Sequence, residues 1–498
     1  MTKRRLLKNL AIGCGAVVLA LVVVLAGVST WLALTGRAEW KAVQKSLIEK
    51  NEPMLLTELA PEPVPNEDNF FADPIWTELI AKRENDTSDP VQMDALKLPL
   101  AAEDRARFEQ EFPTLAPLPD KDSVRSLVLQ LRTDRGLGPD DPLPQDVAVF
   151  VLSSTAPATG VIETMRSLAE RQSARYPVTY EKGFTAGIDH VSPLLSAAQT
   201  LKLRAEAQLA LGDPQAAFAD LKLLLYLAST LSSEPLLISL LVEISTQMIG
   251  LSVVKIGMED WNDEELAEIA RWLSQIDLAD RLVHTLRGER AGFNTLVEGK
   301  FDIGALFATY PDASGGTSFW TAVAVQGYSW VLLDGDQAFY NQSLQEFIEA
   351  LTADVPRIMP ATTKRFDDQW QAIKASPSQN VRRLLSLLAM PAITGVPKRV
   401  AKAQAEVALA SAAVAIEQFF RANGELPGSL SDLVPEFLPS VPMDPIDGAP
   451  IRSRVEGVGS FLLYSIGWND VDDGGRSPES PRKIEENDWI WRGQVLAR

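Results

Sequence analysis

The feature that most limits what this chain can become is a run without charge near its start. From Asn9 to Gly36 no residue is charged, and the apolar stretch Leu10 to Leu34 is 25 residues long. As a helix that stretch measures about 37 Å. This is enough to cross the roughly 30 Å hydrocarbon core of a bilayer with some tilt, and a helix satisfies its own backbone hydrogen bonds there. Lys3, Arg4, Arg5 and Lys8 precede the run, whereas only Arg37 directly follows it, with Glu39 close by. The positive-inside bias then keeps the N-terminus in the cytoplasm and sends the rest across. Trp31 stands near the outer end, where an indole suits the interface. A cleaved signal peptide is the competing reading, with Val24-Leu25-Ala26 as its site. Its apolar region is usually only about 7–15 residues, and this run continues to Leu34. A lipid-modified cysteine should follow the apolar run, but Cys14 lies before most of it. The expectation is an uncleaved single-pass anchor: residues 1–9 cytoplasmic, 10–34 a transmembrane helix, and the bulk outside the cytoplasm.

Charge and rare residues narrow the chemistry. The net charge is −19, and the first 37 residues carry five basic groups and no acid, so the remaining chain carries −24. Such a surface repels nucleic acid, which needs clustered Lys and Arg. The single cysteine lies in the apolar run, so no intrachain disulfide and no cysteine nucleophile beyond it are available. The only histidines, His190 and His284, exclude an HExxH motif and a histidine-rich zinc site. Each is read as structural.

At 498 residues the chain has room for two or three domains, and 46% hydrophobic residues supply cores for them. Residues 35–145 are read as an extended and mixed region. It begins with a helix from Ala38 to about Lys50, followed by the proline-rich Ala60–Asn69, which lies on the body or links to it. Proline and acidic loops such as Gly138–Pro144 then alternate with short helical pieces. Residues 146–397 are read as a helical domain, clearest from Ser192 to Ile256. Gly212-Asp213-Pro214 marks a tight turn between two helices, since Gly suits a helix end and Pro the first position of the next. With Ala205, Ala207, Ala216, Ala217, Leu211, Leu221 and Leu224, this segment resembles one tetratricopeptide-type helical hairpin over about 30 residues. A plain helical bundle is the favoured reading, and a solenoid-like interaction surface the alternative. Glu259–Leu266 looks like a carboxylate cluster, but Asn262 as N-cap with acids in the first turn of a helix explains it better. Loop 310–316 precedes a short apolar stretch, Ser318 to Leu333, read as a buried or membrane-facing helix of the body. Arg382 to Val396 is a second such stretch, broken at Pro391 and Gly395.

The last part, residues 398–498, changes character. A helix from Val400 to Arg421 ends at Asn423-Gly424. Ser429 then caps a short helix bearing Leu430 and Leu433, and Pro439, Pro442 and Pro445 force extended backbone. Pro450–Val455 and Ser460–Ile466 pair as strands across Gly457 and Gly459, and Asp488-Trp-Ile-Trp-Arg forms an edge strand. This order, with Pro427, Leu438, Asp444, Gly448, Tyr464-Ser465-Ile466-Gly467, Gly474-Gly475 and Asp488, resembles the C-terminal globular module of type II secretion major pseudopilins. The resemblance covers roughly 100 residues. It implies a small α+β module and a calcium ion in the loop after the Tyr-Ser-x-Gly strand, with Asp470, Asp472, Asp473 and Asp488 as its carboxylates. Calcium takes six to eight oxygen ligands, so crowded acids suit it. The loop is one residue longer than the family's usual form. The N-terminus also departs from the family, because no acid lies within the apolar helix and no prepilin cleavage motif precedes it. The chain is therefore not expected to polymerise as a pilin. The whole layout resembles long bacterial single-pass membrane proteins that carry such a module.

No GxSxG elbow, P-loop or GxGxxG motif opening a helix after a strand is present. The expected fold class is mainly α, with an N-terminal transmembrane helix, a helical ectodomain read as a plain bundle with a tetratricopeptide-like arrangement as the alternative, and the small C-terminal α+β module. The expected role is a non-enzymatic binding or scaffolding component of the envelope, with membrane and envelope or secretion proteins as partners. The adjacent acids Asp140-Asp141 lie in a proline loop; the alternative is an envelope hydrolase using carboxylates that meet only in space, for which a pocket holding two buried carboxylates about 5–10 Å apart would be the mark.

Overall fold

The structure is a computed structural model that describes residues 2–84, 124–138, 141–171, 173–299, 326–353, 358, 360–390, 393–476 and 487–495. Loop 310–316, the first half of the apolar stretch at 318–333, Asp140 and Pro391 lie outside the described residues.

The expected anchor and the helix expected after it are one continuous element, α1 (Thr2–Glu49). No proline interrupts it, and two threonine hydroxyls toward the end of its apolar part are satisfied locally. Thr30 donates to the Ala26 carbonyl at 2.8 Å and Thr35 to that of Trp31 at 2.9 Å. Residues 16–28 are exposed on all sides. The outer end carries a covered stripe at Leu32, Ala33, Gly36, Trp40, Val43, Gln44 and Leu47, the three- and four-residue spacing of one helical face. Asn51, at φ 54°, turns the chain out of the helix.

The chain is then stitched to the body. Glu52 receives Arg287 at 2.9 and 3.1 Å and Arg290 at 2.8 Å. Burial alone would raise this carboxyl, but the two guanidiniums outweigh it and hold its pKa down to about 2. Asn294 donates to the Met54 carbonyl at 3.1 Å, and Thr295 accepts from the Leu56 N–H at 2.9 Å. The segment 60–65 has no regular structure, in keeping with its prolines.

The body is mainly helical. α2 (Pro74–Glu84), α3 (Val124–Asp134), α4 (Gln145–Thr155) and α5 (Thr159–Leu168) lead to the long helices α6 (Val191–Ala210), α7 (Pro214–Ser229) and α8 (Leu237–Ile256). The turn between α6 and α7 is the expected one: Gly212 has φ 79°, and the Asp213 side chain caps α7 through the Ala216 N–H at 3.1 Å. The buried alanines Ala205, Ala207 and Ala217 let the pair approach closely, and α8 packs on both. This is one hairpin rather than a repeat, because α8 has 20 residues and α9 (Asp263–Leu273) has 11, against 20 and 16 in the hairpin. Asn262 caps α9 in a full capping box with Glu265, as its acids suggested. Next come α10 (Leu278–Glu298), α11 (Leu333–Thr352), α12 (Pro360–Ala375), α13 (Pro377–Arg382) and α14 (Leu384–Ala389).

α15 (Val396–Asn423) runs between glycines at φ 83° and 77°. Its first half places Val400, Ala401, Ala403 and Ala405 in a core shared with α8, α10 and α11. Its second half, Val407 to Ile416, lies in a core shared with α6, α7, α9 and the sheet. The sheet is antiparallel in the order β1 (Arg452–Gly457), β2 (Ser460–Ser465), β3 (Trp489–Gln494). β2 sits centrally, with Leu462 paired to Arg454 and Arg492, and β3 forms one edge. The short helix at Ser429 is a 3-10 turn, Leu430–Leu433, closed by Asp432 on the Ser429 N–H at 2.8 Å.

Candidate functional site

The four acidic residues singled out in the sequence lie where β2 ends and β3 begins, but they are not gathered as a metal-holding group. Asp488 is buried and accepts from the N–H groups of Gly475 at 2.6 Å and Asp473 at 3.2 Å, so it closes the loop 469–475. Asp473 accepts from the Asn469 side chain at 3.1 Å. Asp472 accepts from the Gly474 N–H at 2.9 Å and lies 3.9 Å from Arg452 Nε. Asp470 holds φ 58° in the turn. Burial pushes the Asp488 carboxyl up, its two N–H bonds pull it down, and the charges of Asp473 and Asp472 push it up again. Among the described residues no group of three or more His, Cys, Asp or Glu is placed to hold a metal ion. Asp444 is buried beneath the same end of the sheet. It takes hydrogen bonds from Arg452 at 2.8 Å, Ser465 at 2.9 Å, and the N–H groups of Ile446 and Ile466 at 3.0 Å.

A cleft of about 680 Å³ that the sequence did not announce opens between segment 59–62, the turn after α7, and helices α8, α9 and α10. Trp272 forms one wall and Glu62, Asp277 and Asp280 supply charge around it. Glu243 of α8 is tied to Arg281 Nε at 3.0 Å and to Gln247 at 3.2 Å. Burial raises its carboxyl, and Arg281 works against that. Three lining residues carry a buried atom with no partner among the described residues: Gln247 Oε1, Arg281 Nη1 and His284 Nε2. Burial, then the charge of Arg281, lowers the His284 pKa, opposed by its bond to the Ser233 backbone. This imidazole is therefore neutral at pH 7 with a free Nε2 lone pair. The sequence signal for this site was a lone carboxylate, Glu243, inside an otherwise apolar helix.

A second cleft, of about 520 Å³, has the opposite character. Lys255, Arg399 and Lys402 line it with Glu406 and Trp491, and Lys255 Nζ lies 5.2 Å from the Trp491 ring.

The other histidine is structural in its surroundings. His190 is fully buried, stacked on Tyr176 at 4.0 Å and bonded to Glu234 at 2.8 Å. Ser239 donates to the same Glu234 at 2.5 Å. Serine and histidine thus share a carboxylate rather than contact each other, and the imidazole is not placed to take the serine proton. Asp141 accepts from the Gly138 N–H at 2.6 Å and closes its own loop.

Comparisons with protein-family models, with curated proteins and with solved structures each give no match. What the fold defines is a class: a mainly helical chain with a long apolar N-terminal helix and a three-stranded sheet near its C-terminus.

Proposed function

We propose that this chain is a single-pass membrane protein of the bacterial envelope that binds or scaffolds other components without catalysing a reaction. Its N-terminus faces the cytoplasm and its body the periplasm. The observation that carries this is the division of α1. The inner part is apolar and uncovered, while the outer part continues without a break into ion pairs and packing with the body. Two clefts of unlike charge supply binding surfaces, and unpartnered polar atoms in the Trp272 cleft support a polar ligand or peptide segment there. Envelope proteins, secretion components included, are the proposed partners. Calcium in the loop of Asp470, Asp472, Asp473 and Asp488 belongs to the same proposal. It is supported by the mutual repulsion at Asp488, and binding would draw Asp472 away from Arg452.

The hydrolase reading receives no such support. The buried carboxylates Glu243, in the Trp272 cleft, and Asp444, beneath the sheet, are each engaged by an arginine and by further donors. The test of topology is a cysteine placed at Val458, in the tight turn between β1 and β2, in a Cys14→Ser background. A membrane-impermeant maleimide should label it once the outer membrane is opened. Labelling only after the inner membrane is broken would overturn the assignment. Capture of partners from membranes with wild type and with Glu62→Arg/Asp280→Arg then tests the cleft. The proposal expects the double variant to lose partners that wild type retains.

A further inference from the structure

α1 is not a free stalk. It lies beside α11, and the two run in the same direction: Arg37 pairs with Asp334 at 3.4 Å near one end and Lys50 with Glu349 at 2.5 Å near the other. Between them the backbones touch at two glycines, where a Cβ on Gly36 would stand 2.9 Å from the Gly335 nitrogen. Heights on α11 can therefore be read against heights on α1. Residue 330 lies four positions before Asp334, in the helical turns at 326–331 that lead into α11. At 1.5 Å per residue it stands about 6 Å below Asp334, level with the apolar end of α1 near Ala33. Tyr328 is buried there against Asp336, but Trp330 is 68% exposed. Trp31, close to the same level on α1, is 60% exposed.

A second element arrives at this end. α12 packs antiparallel to α11, with Phe366 stacked on Phe347 at 4.3 Å and Trp370 against Phe339 at 5.0 Å. It thus descends toward the start of α11 and delivers α13 and α14 there. Arg383, between them, donates to the Gly335 carbonyl and lies 4.6 Å over the Phe339 ring. These helices leave Val381 63% and Leu388 48% exposed, beside Arg382.

Large apolar side chains uncovered at one end of a strongly acidic body, with the exposed Arg37 and the half-buried Arg382 beside them, need an occupant. Among the described residues, that end is the one from which the uncovered part of α1 projects. Tryptophan suits the headgroup level of a bilayer, and arginine suits its phosphates. We propose that the body sits on the bilayer that α1 crosses. Trp330, Val381 and Leu388 dip into the outer interface beside Trp31, with Arg37 and Arg382 at the phosphates. This rests on α1 being the span. It adds that the body is held in one orientation, so that its clefts stand at a fixed height above the lipid.

The test uses the full chain, Cys14→Ser, reconstituted in vesicles of phosphatidylethanolamine and phosphatidylglycerol. A single spin label is placed in turn at Leu25→Cys, Trp31→Cys, Trp330→Cys, Val381→Cys, Leu388→Cys and Val458→Cys, all exposed positions. Accessibility to oxygen is compared with accessibility to a water-soluble nickel chelate. The proposal expects the ratio at 330, 381 and 388 to match that at 31 and to exceed that at 458 several-fold. Ratios at 330, 381 and 388 equal to that at 458, with 25 still deep in the lipid, overturn the seated body and leave the span intact. A water-like ratio at 25 itself overturns the span, and this inference with it.

Discussion

α1 and α8 are both long and apolar enough to cross a membrane, yet their surroundings are opposite. The apolar window of α1 is 0% buried by the rest of the chain, whereas that of α8 is 67% buried. The difference lies in the polar side chains and their partners. From Leu10 to Leu34 α1 carries no charge and no side-chain amide for another helix to answer. α8 carries Glu243, which Arg281 of α10 answers directly, and Gln247, which donates to Glu243 within the helix, and its first N–H, that of Leu237, is received by Glu289 at 3.3 Å. A third apolar stretch, 145–168, is 44% buried and is broken by the 3-10 turn at Pro157 that separates α4 from α5. Apolarity says that a helix must leave water. Its few polar groups decide whether it enters lipid or a protein core.

The sharpest way to break this contrast is to remove the answer. Arg281→Met leaves Glu243 in the core of α8 without its cation, and stripping one partner from a buried pair costs about 3–5 kcal/mol. Urea unfolding of the protein in detergent should show that loss while membrane association is unchanged. Pairing the change with Glu243→Leu should recover most of it, because two apolar residues leave no stranded charge. A double variant as unstable as the single one would mean that the pair does not position α8.

The reciprocal experiment puts a charge where none is answered. Val22→Arg, in the exposed centre of α1, should oppose insertion by about 3 kcal/mol. Extraction by alkaline carbonate should rise, while the unfolding midpoint of the body, measured in detergent, stays at the wild-type value. If the variant remains membrane-bound but the body melts early, α1 is a body helix and the contrast with α8 collapses.

Part of this contrast was legible in the sequence and part was not. Charge-free length marks a span because each residue contributes independently. Gly212-Asp213-Pro214 and Asn262 mark their turns because caps act within four residues. The strands around Gly457 and Gly459 pair across a turn of two or three residues, which is again local. The close fit of α1 to α11 was hidden, because Arg37 and Asp334 lie 297 positions apart. The expected boundary at residue 35 therefore falls inside a helix, and α15 runs through two cores where the sequence suggested a module of its own. The Trp272 cleft was hidden for the same reason, since Glu243 and Arg281 are far apart in sequence and each looks ordinary in its own helix. In the acidic loop the residues were visible. What they contact was not, because backbone N–H groups have no signature in a sequence.

Glu289 tests how strictly α8 depends on matched polar groups. It lies buried in α10 and accepts from the Leu237 N–H, and burial raises its carboxyl to about 7. The unfolded chain ionises this group near its ordinary value, so between about pH 4.5 and 7 the folded state holds a proton that the unfolded state has lost. Its contribution is therefore most favourable below pH 4.5 and is lost as pH rises through 7. Glu289→Gln keeps an acceptor for Leu237 and removes the titration. The variant should match wild type at pH 4 and be more stable by roughly 2 kcal/mol at pH 8. Equal stabilities at both pH values would mean that Glu289 is ionised and paired in the folded protein.

The smallest expected effect is at the far end, where carboxylates crowd with fewer cations to answer them. Arg452 is the basic group shared by Asp444, Asp447 and Asp472, and Asp473 and Asp472 both raise the neighbouring Asp488. If a polar group is held only where it is answered, a divalent cation should stabilise this loop as Arg281 stabilises Glu243. The site is open and its acids already have other contacts, so the affinity should be modest, with Kd near the millimolar range of extracellular calcium sites. At a few millimolar calcium the gain would be about 1 kcal/mol by mass action, a rise of only about 1–2 °C in Tm for a chain this size. Asp472→Asn should abolish the rise without lowering the Tm measured in chelator, because Asp472 is exposed and lies at the limit of reach of Arg452. A Tm that ignores calcium would place Asp470, Asp472 and Asp473 among solvated charges. Asp488 would then be a carboxylate held by backbone N–H groups alone, a third way of answering a buried acid beside the arginine of Glu243 and the retained proton of Glu289.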